Sequence, residues 1–126
     1  MKTLGLCLCL ILLMGAGLAQ SQDPDPLIQQ GKEVFSGICA DCHRANGEGL
    51  PTVFPALNKN HFVLGDPSQV IATVLNGRKG KMGIMPTWKD KLDDAQIAGA
   101  VTYIRQAWEN KAPGVTPDLV ASIRKK

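Results

Sequence analysis

Hydrophobic positions along the chain form an apolar leader and four amphipathic segments, separated by two long stretches with no repeat. Leu27, Val34, Phe35 and Ile38 recur at helical spacing with Gly31 on the same stripe. Asp25-Pro26 supplies a cap and a first-turn proline for that helix. Asp66-Pro67 opens a second helix through Val70, Ile71, Val74 and Leu75, and Asn76-Gly77 closes it. Asp93, with Gln96 three residues on, is a capping-box start for the strongest stripe: Ile97, Ala100, Val101, Ile104 and Trp108. Thr116-Pro117 begins a short last helix with Leu119, Val120 and Ile123 on one side. Period-two alternation and internal repeats are both absent. The pattern predicts an all-α fold of about four short helices with long loops.

The leader is a different kind of segment. In Met1–Ala19, Lys2 precedes an uncharged apolar run that ends at small residues, the arrangement of a cleaved secretory signal. The run falls short of the roughly 20 residues that span a bilayer, and Gly15 and Gly17 weaken it further. Cys7 and Cys9 lie inside it, where a lipoprotein would carry its cysteine just after. A retained membrane anchor is the competing reading. Residues 20–26 then form a flexible lead-in and 27–126 a single domain with no membrane span. In a two-membrane bacterium the destination is the periplasm.

The two aperiodic stretches, Asn46–Gly65 and Gly77–Leu92, are long for so small a domain. Ordering them costs conformational entropy that a few modest helices must offset. A large apolar cofactor between helices and loops would supply the missing burial. Composition agrees. Hydrophobic residues make up 44% and charged residues 20%, which excludes a disordered chain, but only 5% are aromatic. A net charge of +3 without a Lys/Arg block interleaved with aromatics argues against nucleic-acid binding.

Past the leader only two cysteines remain, both in Cys39-Ala40-Asp41-Cys42-His43. C-x-x-C-H is the attachment sequence of c-type haem. Cys39 and Cys42 can each form a thioether to one of haem's two vinyl groups, and His43 then presents its imidazole to the iron. A disulfide or thioredoxin-like pair expects a βαβ setting that this pattern lacks. Structural zinc needs four ligands, and only these two cysteines and two histidines are on hand. For the other face of the iron, spacing leaves His61, Met82, Met85 or no ligand open. Both methionines lie in the glycine- and proline-bounded run Gly80–Trp88, unlike gap-filling methionines of a helical core.

With G-x-x-x-F before C-x-x-C-H, P-x-L after it, M-P-x-W, and a helix bearing Y-I-R, the chain resembles a class I, mono-haem c-type cytochrome of the small bacterial periplasmic kind. The resemblance spans Leu27–Lys126. It implies that Met85, directly before proline, is the second axial ligand, with Met82 as fallback. It implies that Pro55 offers its carbonyl to the other ring nitrogen of His43, and that Leu57 packs on the haem. Trp88 then lies near a haem propionate, and Gly31 and Phe35 belong to a first helix crossing a late helix near Tyr103. The tail from Trp108 to Pro117 is similar to that of cytochrome domains serving dehydrogenases, nitrite reductases and oxidases.

Histidine–methionine ligation fills both axial positions and raises the potential, so the expected work is one-electron transfer between Fe(III) and Fe(II) in a respiratory or oxidoreductase chain, not catalysis. One alternative is a subunit fixed in a dehydrogenase, reductase or oxidase complex, exposing an apolar face that includes Leu119, Val120 and Ile123. Another is a haem protein binding a small gas or peroxide. Redox partner proteins are expected to dock at Arg78, Lys79, Lys81, Lys89 and Lys91, opposed locally only by Asp90. The chain acts as a monomer or as a subunit of a complex.

Overall fold

The computed structural model describes residues 25–126. The expected signal at 1–19 and the first part of the lead-in lie outside the described residues.

α1 spans Pro26–Val34, and Asp25 caps it by accepting from the Leu27 amide. It runs on through a π-helical turn, Phe35–Cys39, into α2, Ala40–His43. The wider turn is closed by the Ala40 amide donating to the Phe35 carbonyl, and such turns often sit at functional sites. It shifts the face on which the following residues emerge, so the end of this helix is not a simple continuation of its buried stripe.

α4, Pro67–Asn76, starts at an Asp66 cap. α5, Asp94–Gln106, carries the expected Asp93–Gln96 capping box, and α6, Pro117–Arg124, the expected Thr116 cap. α1 and α5 pack most closely, through glycines. A Cβ on Gly31 would lie 1.9 Å from the Gly99 carbonyl oxygen, so backbones touch where side chains would otherwise hold the helices apart. Phe35, Tyr103 and Trp108 cluster at the end of this crossing, with Phe35 5.4 Å from each partner ring.

Four expectations need correction. Asn46–Gly65 is not wholly loop: Asn60 accepts from the Phe62 and Val63 amides and starts a one-turn α3, His61–Leu64. Gly77–Leu92 contains a two-residue antiparallel pair, β1 Arg78–Lys79 with β2 Ile84–Met85, too short for any alternation to show. Trp108 is not on the α5 stripe, because α5 ends at Gln106 and Trp108 is reached through a left-handed backbone, φ 56°. The α6 face is not an exposed apolar surface. Val120 is fully buried, and Leu119 and Ile123 pack half-buried against the core.

Candidate functional site

The π-helical turn after α1, together with α2, α4, α5 and both irregular segments, lines one apolar cavity of about 610 Å³. That size falls within the roughly 300–1,000 Å³ of small-molecule and cofactor sites. Helix side chains such as Phe35, Val70, Val74, Ala100 and Ile104 form its inner wall. Cys39, Cys42 and His43 face it from one side, Pro55 and Leu57 from the following loop, and Met82, Met85 and Trp88 from the strap after α4. Every cofactor residue expected from sequence therefore lines this one cavity. His61, the other histidine, does not and is exposed.

His43 Nδ1 lies 2.9 Å from the Pro55 carbonyl oxygen. A carbonyl only accepts, so Nδ1 carries a proton, and in the neutral ring the lone pair is then on Nε2. This is the tautomer a metal-binding imidazole needs, and the bond fixes the ring's orientation. Cys39 and Cys42 are not joined to each other by a disulfide. Burial, reinforced by neighbouring Cys42, pushes the Cys39 thiol up from 9.0 to about 11. Among the described residues, no group of three or more His, Cys, Asp or Glu side chains forms a metal site. The zinc alternative has no support in that geometry.

Local backbone chemistry builds each wall. Gly49 (φ +61°) sits so tightly under the Phe54–Pro55 carbonyls that a Cβ would fall 2.4 Å from the Phe54 oxygen. Its amide also donates to the His43 carbonyl. After α4, Gly77 (φ +72°) turns the chain into β1. The chain then returns along the end of α4. Trp88 N–H donates to Val74 O, Lys89 N–H to Leu75 O, and Thr87 Oγ1 to Leu75 O at 2.6 Å. These bonds satisfy carbonyls that a helix C-terminus leaves without intrahelical partners. They also set Met85 and Trp88 beside the cavity.

The cavity is apolar inside and cationic at its edge. Arg78, Lys79 and Lys81 line it and are exposed, and the Arg78 guanidinium lies 5.2 Å from the Phe62 ring centroid. Lys89 and Lys91 are exposed but outside the lining; the Lys91 ammonium sits 5.3 Å from the Trp88 ring centroid. The large exposed hydrophobics of the described residues are Leu50, Val53, Phe62 and Ile84. Phe62 and Ile84 line the cavity, Val53 adjoins the cavity-lining Phe54, and Leu50 bridges to it.

Two polar residues that sequence reasoning missed hold these walls. Arg105, only 2% exposed, donates to the carbonyls of Val63, Gly65 and Pro113. Burial lowers its pKa from the ordinary value, with Asp66 opposing. It secures α3, whose Phe62 and Val63 line the cavity. Asn110, also 2% exposed, ties Leu57 and Lys59 to the end of α5. Arg105 entered the sequence reading only as the last residue of Y-I-R, with no role attached, and Asn110 stands on no hydrophobic stripe.

A helix-walled apolar cavity, faced by a C-x-x-C-H segment whose histidine is oriented by a backbone carbonyl, defines the c-type cytochrome class. The family described as "Cytochrome C oxidase, cbb3-type, subunit III" matches residues 26–104, and the chain belongs to it. It is 33% identical over 93 residues to the cytochrome c subunit of a quinone alcohol dehydrogenase from Gluconobacter oxydans, which covers 67% of this chain and 19% of that protein. It is 38% identical over 79 residues to cytochrome c6 of Bryopsis maxima, covering 61% of this chain and 88% of that protein. The crystal structure of the c-type cytochrome XoxG from Methylobacterium extorquens matches with a TM-score of 0.55 at 19% identity, covering 80% of this chain and 67% of that one. The last likeness shows the fold alone. The chain thus spans about a fifth of the dehydrogenase subunit. Family membership implies covalently bound haem c, and the apolar cavity with two thiols and an oriented imidazole fits that group.

Proposed function

We propose that the domain is a one-electron carrier holding a single haem c, working in the periplasm after removal of residues 1–19. The observation that carries this reading is the shared cavity: Cys39, Cys42 and the oriented His43 line it together with Met85 of the strap after α4. Cys39 and Cys42 would hold the group through two thioethers, His43 would ligate through Nε2, and Met85 would be the second axial ligand. Haem c bound there supplies an iron that cycles between Fe(III) and Fe(II). If His43 and Met85 both hold the iron, this chain would leave no position for a substrate, and the role is transfer and not catalysis. Pro55 keeps the His43 ring aligned, Leu57 and the helix side chains exclude water, and Trp88 closes the strap side.

Redox partners are proposed to meet the domain where the cavity reaches the surface. Exposed Ile84 and Val53 offer dry contact there, and Arg78, Lys79 and Lys81 favour an acidic partner. Lys89 and Lys91 extend the same charge. A second reading, a subunit fixed in a dehydrogenase or oxidase complex, is favoured by the dehydrogenase-subunit relative and by Ile84, which is 69% exposed. Among the described residues no helix is long and apolar enough to cross a membrane. Any such anchoring would therefore use another segment or a partner.

Spectroscopy of the ferrous holoprotein with carbon monoxide tests the ligation. A low-spin spectrum unmoved by carbon monoxide is expected. Ready binding by the unaltered protein would overturn the closed site and favour a gas-binding role. Co-purification from the native periplasm separates a free shuttle, recovered alone, from a complex subunit.

A further inference from the structure

The Pro55 carbonyl that orients His43 belongs to a loop with unusual backbone demands. Four non-glycine residues of the described chain have positive φ: Arg44, Thr52, Lys59 and Trp108. Three lie in the segment from Arg44 to Lys59. The fourth packs its ring on Gly47 of that segment, where a Cβ would fall 2.5 Å from the indole, and its Nε1 donates to the Ala45 carbonyl. Such conformations cost on the order of 1–3 kcal/mol each and persist only where the surroundings impose them. The loop's internal bonds, Leu57 and Asn58 amides to the Gly47 carbonyl, join its two limbs but do not attach them to the helical frame.

The first limb is tied by the Gly49 amide to the His43 carbonyl and by Trp108 Nε1 to Ala45 O. At the Leu57–Lys59 limb, Asn110 makes the buried attachment. Its Oδ1 accepts from the Lys59 amide at 2.7 Å, and its Nδ2 donates to Leu57 O at 3.0 Å and Ile104 O at 2.6 Å. Both amide protons are thereby used, one on the loop and one on a terminal carbonyl of α5. Lys59 is itself one of the left-handed residues (φ 54°), so the side chain grips the loop where its backbone is least relaxed. Leu57 is two residues from Pro55, whose oxygen lies 2.9 Å from His43 Nδ1. Outside, an exposed Lys59–Glu109 ion pair at 2.7 Å and the Glu109 amide on Asn58 Oδ1 run alongside. Exposed pairs contribute little. The buried amide is the firm link.

We infer that Asn110 is the positioning residue for the His43 ring: by holding Leu57 and Lys59 to the end of α5, it fixes the Pro55 carbonyl and so the tautomer and angle of the imidazole. Releasing it frees the loop to relax its left-handed residues and withdraw that carbonyl, while the helical core stays folded. The consequence for the iron rests on the proposed ligation by His43, but the hydrogen bond itself can be read independently.

The test is hydrogen exchange by NMR on ferrous holoprotein, comparing the His43 ring N–H with the amide of Val101, buried in α5. Asn110→Ala removes all three bonds, and Asn110→Asp keeps the acceptor for Lys59 while losing both donor bonds. In either variant the ring proton is expected to exchange at least about tenfold faster relative to the Val101 amide, as local opening without global unfolding requires. Val120→Ala, in α6, destabilises the core and should speed the Val101 amide while leaving the ring proton's local opening as it was, so the ratio moves the other way. In the unaltered protein, the His43 ring proton and Lys59 amide should share one opening, with the same dependence on added denaturant. That measurement needs no variant to fold. Unequal openings of these two protons, or a ring-to-Val101 ratio unmoved by the Asn110 substitutions, would overturn the inference. A failure of His43 ligation would appear instead in the visible spectrum of the unaltered protein, without touching the exchange ratio.

Discussion

A single residue's chemistry in this domain depends on which wall of the cavity it occupies. Cys39 is held as a thiol by burial, its pKa pushed up to about 11. Before any group is attached, its alkylation by iodoacetamide at pH 8 should be roughly a hundredfold slower than that of the same residue in the unfolded chain, because the thiolate fraction falls tenfold per unit of pKa. Mass spectrometry of the modified peptide reads this directly. The sign of the linked stability follows. The unfolded thiol ionises from 9.0 upward, the folded one only near 11, so the unloaded fold loses stability as pH climbs through that window. Met82 and Met85 both line the cavity, so their roles separate only by substitution. Met85→Ala should make the ferrous holoprotein bind carbon monoxide, and Met82→Ala should leave it inert. The reverse result would exchange the two assignments.

α1 and α5 are held by close backbone approach. At the α1–α5 crossing, a methyl on Gly31 would meet backbone at 1.9 Å, with no flexible side chain to move aside. Gly31→Ala should therefore cost about 3 kcal/mol or more and lower the Tm by many degrees. Gly37, exposed in the π-helical turn, has nothing within 4 Å of its missing Cβ. Gly37→Ala should be neutral or stabilise by up to about 1 kcal/mol. Thermal melts of the two variants distinguish a packing glycine from a merely permissive one. α3 depends on another element altogether. Its Val63 and Gly65 carbonyls are bound by Arg105 of α5, and truncating that side chain leaves buried acceptors without donors.

Charge and shape act together only on the scale of the whole molecule. A net charge of +3 is small for 126 residues and does not by itself define a partner. Folding concentrates Arg78, Lys79 and Lys81 at the cavity edge, beside the exposed hydrophobics Phe62 and Ile84. Oxidation of the ferrous protein by ferricyanide, an anion, should slow as ionic strength rises, because screening removes the local attraction. The double substitution Lys79→Glu and Lys81→Glu should slow it at low salt and flatten the salt dependence. Rates indifferent to both would assign these cations to solubility alone. The α6 face shows the opposite change of role, since its apolar stripe disappears into contacts with α4 and α5.

Local chemistry along the chain was enough to determine the helix class, the caps at Asp25, Asp66, Asp93 and Thr116, and the C-x-x-C-H segment, Cys39–His43, that the fold brings to the cavity. Each is written within a few consecutive residues: a cap needs a side-chain oxygen two or three residues from the amides it serves, and C-x-x-C-H needs one helical turn. The expectation for Pro55 came from resemblance, and its carbonyl oxygen lies 2.9 Å from His43 Nδ1. Tertiary structure alone decided the rest. α3 is too short for periodicity and persists through an Asn60 cap and a distant arginine. The β1–β2 pair follows from the strap's return along α4, and Trp108 leaves its stripe because α5 ends two residues earlier. Arg105 and Asn110 are polar residues whose importance comes from carbonyls and an amide up to 53 residues away. Sequence periodicity records which face a residue shares with its helical neighbours. It carries no information about unpaired backbone groups that another part of the chain will bring beside it, and those groups are what shape this cavity.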